Sequence, residues 1–461
     1  MTAGISDRWR VAIPRPAAEP PREEPGPAAP TPNGADASTA ALIEQKVKLH
    51  GQIIDGFNLS LIDKVSTEDL AREVKRFVGD YALRERLALN GRELDAFAAD
   101  VLDEMVGLGP IEPLLKDATV TDILINTHET VYVERGGQIE RTPARFKDEA
   151  HLLRIVNKMV AAVGRRIDES SPMVDARLPD GSRVNVAIRP VAVDGPLVSI
   201  RKFAKRPLSM DRLVELGALR PGMADLLKAA VRGKISLVVS GGTGSGKTTL
   251  LNALSSFILP RERLITIEDA AELQLQQPHV ARLETRPPSV EGRGEIRQRE
   301  LLKNALRMRP DRIILGECRG EEAFDMLQAM NTGHEGSMTT IHANTPRDAL
   351  GRIEQMIGMA AAAMSTVSIR SQIASGIQLL VQLQRLPDGK RRVTSIAEVT
   401  GMEGEVIQMQ EVFRFVREGM DERHGVVGSF RATGVRPRFL ADLKTQGLDV
   451  PGHVFEPGAA L

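Results

Sequence analysis

Residues Gly241 to Thr248, GGTGSGKT, fit the spacing G-x-x-x-x-G-K-[ST]. Such a loop turns successive backbone N–H groups towards phosphate oxygens, and its glycines let the backbone approach them closely. The segment around it reads strand (ISLVVS), loop, then helix formers (KTTL), so the positive end of a helix faces the same anion. Gly241, Gly242, Thr243, Gly244, Ser245, Gly246, Lys247, Thr248 and Thr249 are therefore the expected nucleotide-binding residues. Lys247 is expected to reach the β- and γ-phosphates and Thr248 to bind Mg2+, so ATP and Mg2+ are the expected cofactors.

Two further strand-like runs end in carboxylates. RLITIED delivers Glu268 and Asp269, and RIILGE delivers Glu317. Phosphoryl transfer needs one acidic group beside Mg2+, directly or through water, and another that orients and deprotonates the attacking water. Glu268 and Glu317 are the candidates. The sequence leaves open which does which. Gly316 and Glu317 also depart from the common pattern of an apolar strand ending in aspartate.

His334 and His342 lie close together in MNTGHEGSMTTIHAN. Zinc needs three or four ligands, and no cysteine accompanies them, so a metal site is not the expectation. EEAFDMLQAMNTGH reads as a helix stopped at Gly333, and SMTTIHA as a strand with His342 at its carboxyl end. Both histidines are expected near the phosphates, as polar sensors or relays that couple hydrolysis to movement.

These side chains need a scaffold, and the chain supplies one in pieces. Residues 1–40, rich in Pro, Ala and Glu, read as a disordered leader. Residues 41–105 read as helical, with Ser66 as a plausible N-cap and Leu70, Val74, Phe77 and Val78 on one stripe. Residues 106–204 read as an α+β domain. Its strands turn at Asn126–His128 and Gly136–Gly137, a helix carries Leu152, Ile155, Val156 and Met159 on one face, and three more strands follow. A linker at 205–215 leads to residues 216–461, where strand and helix alternate as in a parallel α/β sheet. Ligands of such sheets sit beyond the carboxyl ends of the strands. LLVQLQRL and RRVTSIAEV, joined by PDGK, read as a hairpin on the side of that core.

The totals exclude several classes. Lys plus Arg and Asp plus Glu both number 61, and aromatics make up only 3%, which disfavours a single-strand nucleic-acid groove; no nucleic-acid partner is expected. Cys318 is the only cysteine, so an intrachain disulfide and a four-cysteine zinc module are excluded. No apolar run approaches the ~18–20 residues of a membrane span, and no signal-peptide pattern opens the chain, so a cytoplasmic protein is expected.

Taken together, the phosphate loop, TIEDAAEL, RIILGECRGEEA and TGHEGSMTTIHAN resemble the type II/type IV secretion-system ATPases (the GspE/PilT-like superfamily). The resemblance extends upstream through GLGPIEPLL, VTDILIN, GRRIDESSPMVDARLPDGSRVN and SIRKF, covering roughly residues 100–415. RMRPDRIILGECRGEEAFDMLQAMNTGHEGS looks most like the CpaF-type branch that serves tight-adherence (Tad) pili. The resemblance implies an α/β, RecA-like P-loop core preceded by a smaller α+β (PAS-like) domain and a helical segment. It further implies a homohexamer with nucleotide between the two domains, powering pilus assembly through inner-membrane platform proteins, with peripheral membrane contact through them; conjugation and type II protein export, served by nearly the same boxes, are the alternatives. By the same resemblance, Arg183 and Arg201 reach the phosphates, as suits the planar fork of arginine. Arg319 is a weaker candidate for a contact between boxes, and Arg307, Arg309 and Arg312 for a subunit face.

Overall fold

A computed structural model describes residues 67–87, 89–203, 207–286, 288, 293–422 and 425–458. The expected leader, the helical segment before residue 67 with its Ser66 cap, and residues 205–206 of the linker lie outside them. The chain divides into two units, residues 1–105 and 106–461. In the first, α1 (Thr67–Arg84) packs on α2 (Gly91–Met105), with Leu70, Val74, Val78 and Tyr81 against Phe97 and Val101.

The second unit holds two sheets. After the short helix α3 (Glu112–Lys116), strands β1 (Val120–Thr127), β2 (Thr130–Arg135), β3 (Gln138–Arg141), β4 (Met173–Arg177), β5 (Arg183–Ala187) and β6 (Leu197–Arg201) form an antiparallel sheet ordered β3-β2-β1-β6-β5-β4. Helix α4 (Glu149–Ala161), capped by Asp148, buries Leu152, Ile155, Val156 and Met159 in one core with alternate residues of these strands. The first turn falls at His128–Glu129, one step later than the sequence suggests, because Thr127 still pairs with Thr130.

The larger sheet has nine strands: β7 (Leu237–Gly241), β8 (Leu264–Glu268), β9 (Val280–Glu284), β10 (Arg312–Cys318), β11 (Met338–Ile341), β12 (Leu379–Arg385), β13 (Arg391–Glu403), β14 (Val406–Met420) and β15 (Val426–Ala432). Their order is β15-β14-β13-β12-β7-β11-β10-β8-β9. From β12 to β9 neighbours run parallel, and from β12 to β15 antiparallel. The parallel strands are buried on both faces: Leu237 and Val239 enter one core and Val238 the other, as do Ile314 against Ile313 and Leu315. Helices α5 (Met210–Glu215), α6 (Pro221–Arg232) and α7 (Lys247–Ser255) cover the first face. Helices α8 (Gln298–Ala305), α9 (Glu322–Asn331), α10 (Pro346–Ala360) and α11 (Thr366–Gly376) cover the second, and α12 (Leu440–Thr445) joins the first.

The hairpin expected at the side of the core is placed differently. Its first strand, β12, is a parallel neighbour of β7, pairing Leu379 with Leu237 and Leu383 with Gly241. LLVQL is apolar enough to be buried throughout, which suits an interior position and not a flank.

Candidate active site

Strand β7 runs into the glycine loop, and Gly246, at φ 96°, opens α7 from the left-handed region. Gly244 also has φ 68°, a conformation that side chains other than glycine's rarely adopt. A Cβ at Gly241 would come within 2.5 Å of Ser245 Oγ and 2.6 Å of the Leu383 carbonyl, so the loop closes tightly on its neighbours. Ser245 Oγ donates to the Gly242 carbonyl at 2.9 Å. Gly242 and Thr243 face solvent, and Thr248 and Thr249 occupy the first turn of α7. Lys247, 8% exposed, folds back and donates to the Gly241 and Gly242 carbonyls at 3.1 and 3.0 Å.

Sheet order brings the next residues together. Strand β11 lies between β7 and β10, so His342, directly after β11, falls between Lys247 and Glu317. Its Nε2 is 3.3 Å from Lys247 Nζ and 2.8 Å from Glu317 Oε1. One ring nitrogen therefore stands between a donor and an acceptor, and its protonation decides which it serves. Burial, and then Lys247, lower the His342 pKa against the pull of Glu317. Burial also lowers that of Lys247. Glu317 goes down too: burial acts to raise it, but the Arg319 guanidinium, 2.7 Å from Oε2, with His342 and Lys247 behind it, prevails. Arg319 also lies 3.7 Å from Asp269, so it does span two of the acidic boxes.

Glu268 ends β8, beside β10, and is 3% exposed. Its Oε2 accepts from the Glu272 and Leu273 backbone N–H groups at 2.7 and 2.8 Å, while Oε1 is buried with no partner among the described residues. Burial pushes its pKa up to about 7, the two backbone donors opposing. Gly316 now has a reason. Leu315 is level with Ile267 on the adjoining strand, and a Cβ at Gly316 would stand 2.9 Å from Glu268 Cγ. The residue that breaks the usual apolar run is the one that makes room for the second carboxylate.

Other expected residues fall elsewhere. His334 is a correction: it precedes β11, where Ser337 Oγ donates to its carbonyl and the Leu237 N–H to that of Ser337. That is the amino end of the parallel strands, opposite the edge carrying the phosphate loop, so the two histidines do not converge. Arg312, a weak candidate for a subunit face, is fully buried within the chain, its fork closed on Glu262 at 2.6 and 2.9 Å and on the Val231 carbonyl at 2.7 Å. Arg183 and Arg201 are cross-strand partners in β5 and β6. Arg183 donates to Glu272 at 2.8 Å, on the segment whose backbone holds Glu268, and Arg201 to Asp122 at 3.1 Å.

Comparison with known proteins settles the lineage. Residues 104–427 match the family described as type II/IV secretion system protein. A Mycobacterium tuberculosis (strain ATCC 25618 / H37Rv) protein whose name assigns it provisionally to conjugal transfer is 38% identical over 309 residues, spanning 66% of this chain and 87% of that one. The chain belongs to the type II/IV secretion system family. The conjugal transfer protein TrbB of Rhizobium radiobacter is 34% identical over 63% of this chain and 86% of its own length. Among solved structures, the VirB11 ATPase of the Brucella suis type IV secretion system, in complex with sulphate, is 28% identical over 62% of this chain and 94% of that one, with a TM-score of 0.34.

The residues of this secretion-family chain fit a bound nucleotide and Mg2+. The glycine loop closes too tightly at Gly241 to admit a Cβ and leaves open space beside Gly242, and Glu268 Oε1 is a buried acceptor with no partner among the described residues. Burial and the charges of Arg319, Arg201 and Arg352 lower the Lys247 pKa while Glu317 raises it, so several guanidiniums act where an anion would sit. Among the described residues no group of three or more His, Cys, Asp or Glu could hold a metal ion by itself.

The sequence reading missed three residues at the loop. Arg391 Nε donates to the Gly244 carbonyl at 2.8 Å, and its Nη2 to Glu134 at 3.1 Å. Arg385 Nη1 lies 3.5 Å from the other oxygen of Glu134. Basic residues on either side of a PDG turn are common on surfaces, and Glu134 is more than 250 positions away, so no local signal marks them.

Proposed function

We propose that the chain hydrolyses ATP with Mg2+ and acts as the motor subunit of a secretion-system assembly. The observation that carries this reading is the line of Lys247, His342 and Glu317 beside the phosphate loop, joined at 3.3 and 2.8 Å, with Glu268 on the adjoining strand; burial pushes Glu268 up to about 7 while Glu317 is held down. Neighbouring acids whose pKa values are driven apart take different roles. Glu268 is the general base: poised near neutrality, with Oε1 unpartnered, it takes the proton as water oxygen bonds to the γ-phosphorus and the bond to ADP breaks. Glu317 stays ionised and, with Thr248, would hold Mg2+, which would offset charge on the phosphates. Lys247 exchanges its carbonyl partners for phosphate oxygens. His342, beside both Lys247 and Glu317, reports that exchange. Arg183 and Arg201 add positive charge from the six-stranded sheet.

The subunit works in a homohexamer on the cytoplasmic side of the inner membrane, against platform proteins. In keeping with this, no helix among the described residues is long and apolar enough to cross a membrane. The CpaF-like runs support assembly of a Tad-type pilus. The names of the M. tuberculosis and R. radiobacter relatives support conjugal transfer as a second reading. Lys247→Ala should abolish phosphate release by the purified protein, and turnover at the wild-type level would sink the nucleotide site as drawn. In cells, the same substitution should abolish piliation; loss of plasmid transfer with pili intact would favour the second reading.

A further inference from the structure

Arg385 and Arg391 are direct cross-strand partners in β12 and β13. Like charges placed so repel unless a counter-charge joins them. That counter-charge is Glu134, which lies on β2 of the other sheet, with a side chain only 12% exposed. Each of its oxygens faces one guanidinium, at 3.1 and 3.5 Å. Two glycine turns bring the sheets this close: a Cβ at Gly137 would stand 2.9 Å from the Gly389 carbonyl, and Arg385 Nη2 donates to the Gly137 carbonyl. Arg391 also donates from Nε to the Gly244 carbonyl in the bend of the phosphate loop. Its Cδ also lies where a Cβ on Gly246 would meet it, at 3.5 Å.

We infer that Arg391 is a positioning residue for the phosphate loop, and that Glu134 orients it, so the placement of the six-stranded sheet tunes nucleotide affinity. The inference rests on the ATP-hydrolysing reading above. Carbonyls of such a loop point outwards while its N–H groups point at the anion. A guanidinium holding the Gly244 carbonyl from outside therefore fixes the direction of the donors within. A fork that serves loop and carboxylate together cannot be replaced by lysine, whose ammonium is a single point. Movement of β2 away from the hairpin would remove the counter-charge, let Arg385 and Arg391 separate, and loosen the loop.

The test is binding of ATPγS with Mg2+ to the full chain by calorimetry, beside steady-state turnover, for wild type, Glu134→Gln, Arg391→Lys and the double variant. Glu134→Asp serves as a milder second change at the acid. Each single substitution should weaken binding roughly tenfold, the scale of one charge-assisted hydrogen bond, with KM affected more than kcat. The double variant should bind no more weakly than Arg391→Lys, because the two act through one path. Unchanged binding in both single variants, or additive losses in the double, would overturn the inference while leaving the nucleotide site standing. So would equal losses in KM and kcat accompanied by a lower melting temperature without nucleotide, the mark of a merely structural contact. Wild-type protein that binds no ATPγS would instead overturn the functional reading itself.

Discussion

Replacing Glu268 by glutamine keeps the shape of the side chain and removes its proton-accepting oxygen, and the structure gives this change two opposite consequences. The first is catalytic. A positioned general base contributes roughly 10²- to 10⁴-fold, so kcat for ATP should fall by about that factor. The second concerns stability, and its sign follows from the raised pKa. A carboxyl at 4.5 when unfolded and about 7 when folded favours folding below 4.5 and loses that contribution as pH rises through 7. Between pH 5 and pH 8 the loss is on the order of 2.5 kcal/mol. Glutamine has no such term. All other titrating groups are common to both proteins, so the difference between their pH profiles isolates this one. Melting temperatures measured from pH 5 to pH 8 should therefore diverge, the inactive variant gaining a few degrees on wild type at the alkaline end. Parallel melting profiles would refute the buried, hard-to-ionise carboxylate. A variant that kept more than a tenth of wild-type turnover would refute its role as base.

Other tests bear on neighbouring parts. His342→Ala should lower kcat at least tenfold while changing nucleotide Kd no more than about threefold, whereas His334→Ala, at the far edge of the sheet, should leave both within twofold. A fall in binding alone for the first would sink the relay. Glu262→Gln strands a fully buried Arg312 and should cost about 3–5 kcal/mol, read as a large drop in melting temperature; replacing both by leucine and methionine should recover much of it. Because burial lowers the Lys247 pKa, nucleotide affinity should decline on the alkaline side earlier than an ordinary lysine allows, and a flat profile from pH 7 to pH 10 would contradict this.

The phosphate loop, the carboxylates and the strands that carry them were legible because each is local. A glycine pattern, an apolar run and the residue that ends it lie within ten positions of one another. His342 could be placed at a strand end for the same reason. His334 could not, because the sequence shows that a residue lies in the loop before a strand without showing which edge of the sheet that loop borders. The hairpin was legible, but β12 enters the sheet beside β7, a pairing across some 140 positions that only the burial of LLVQL hints at. Glu134, Arg385 and Arg391 meet through two tertiary turns, and nothing local in any of them announces the others. The roles of Glu268 and Glu317 were equally hidden. Both are glutamates at strand ends, and only burial on one side and a guanidinium on the other distinguish them.

Strand order turns these side chains into a reaction path. With strands spaced at about 4.8 Å, β7 and β10 stand roughly 10 Å apart across β11, so Lys247 and Glu317 come together only by leaning in from either side. His342, on the strand between, meets both with one ring nitrogen, 3.3 Å from Lys247 and 2.8 Å from Glu317. Strand β8 lies one spacing further, so Glu268 starts roughly 14 Å from the phosphate-loop strand. That span suits its proposed part. A base for the attacking water must stand beyond the terminal phosphate, away from the lysine that holds the others. The missing side chain at Gly316 leaves room for Glu268 beside β10, where a Cβ would stand 2.9 Å from its Cγ. Had β11 lain outside β10, no imidazole would stand between the lysine and Glu317.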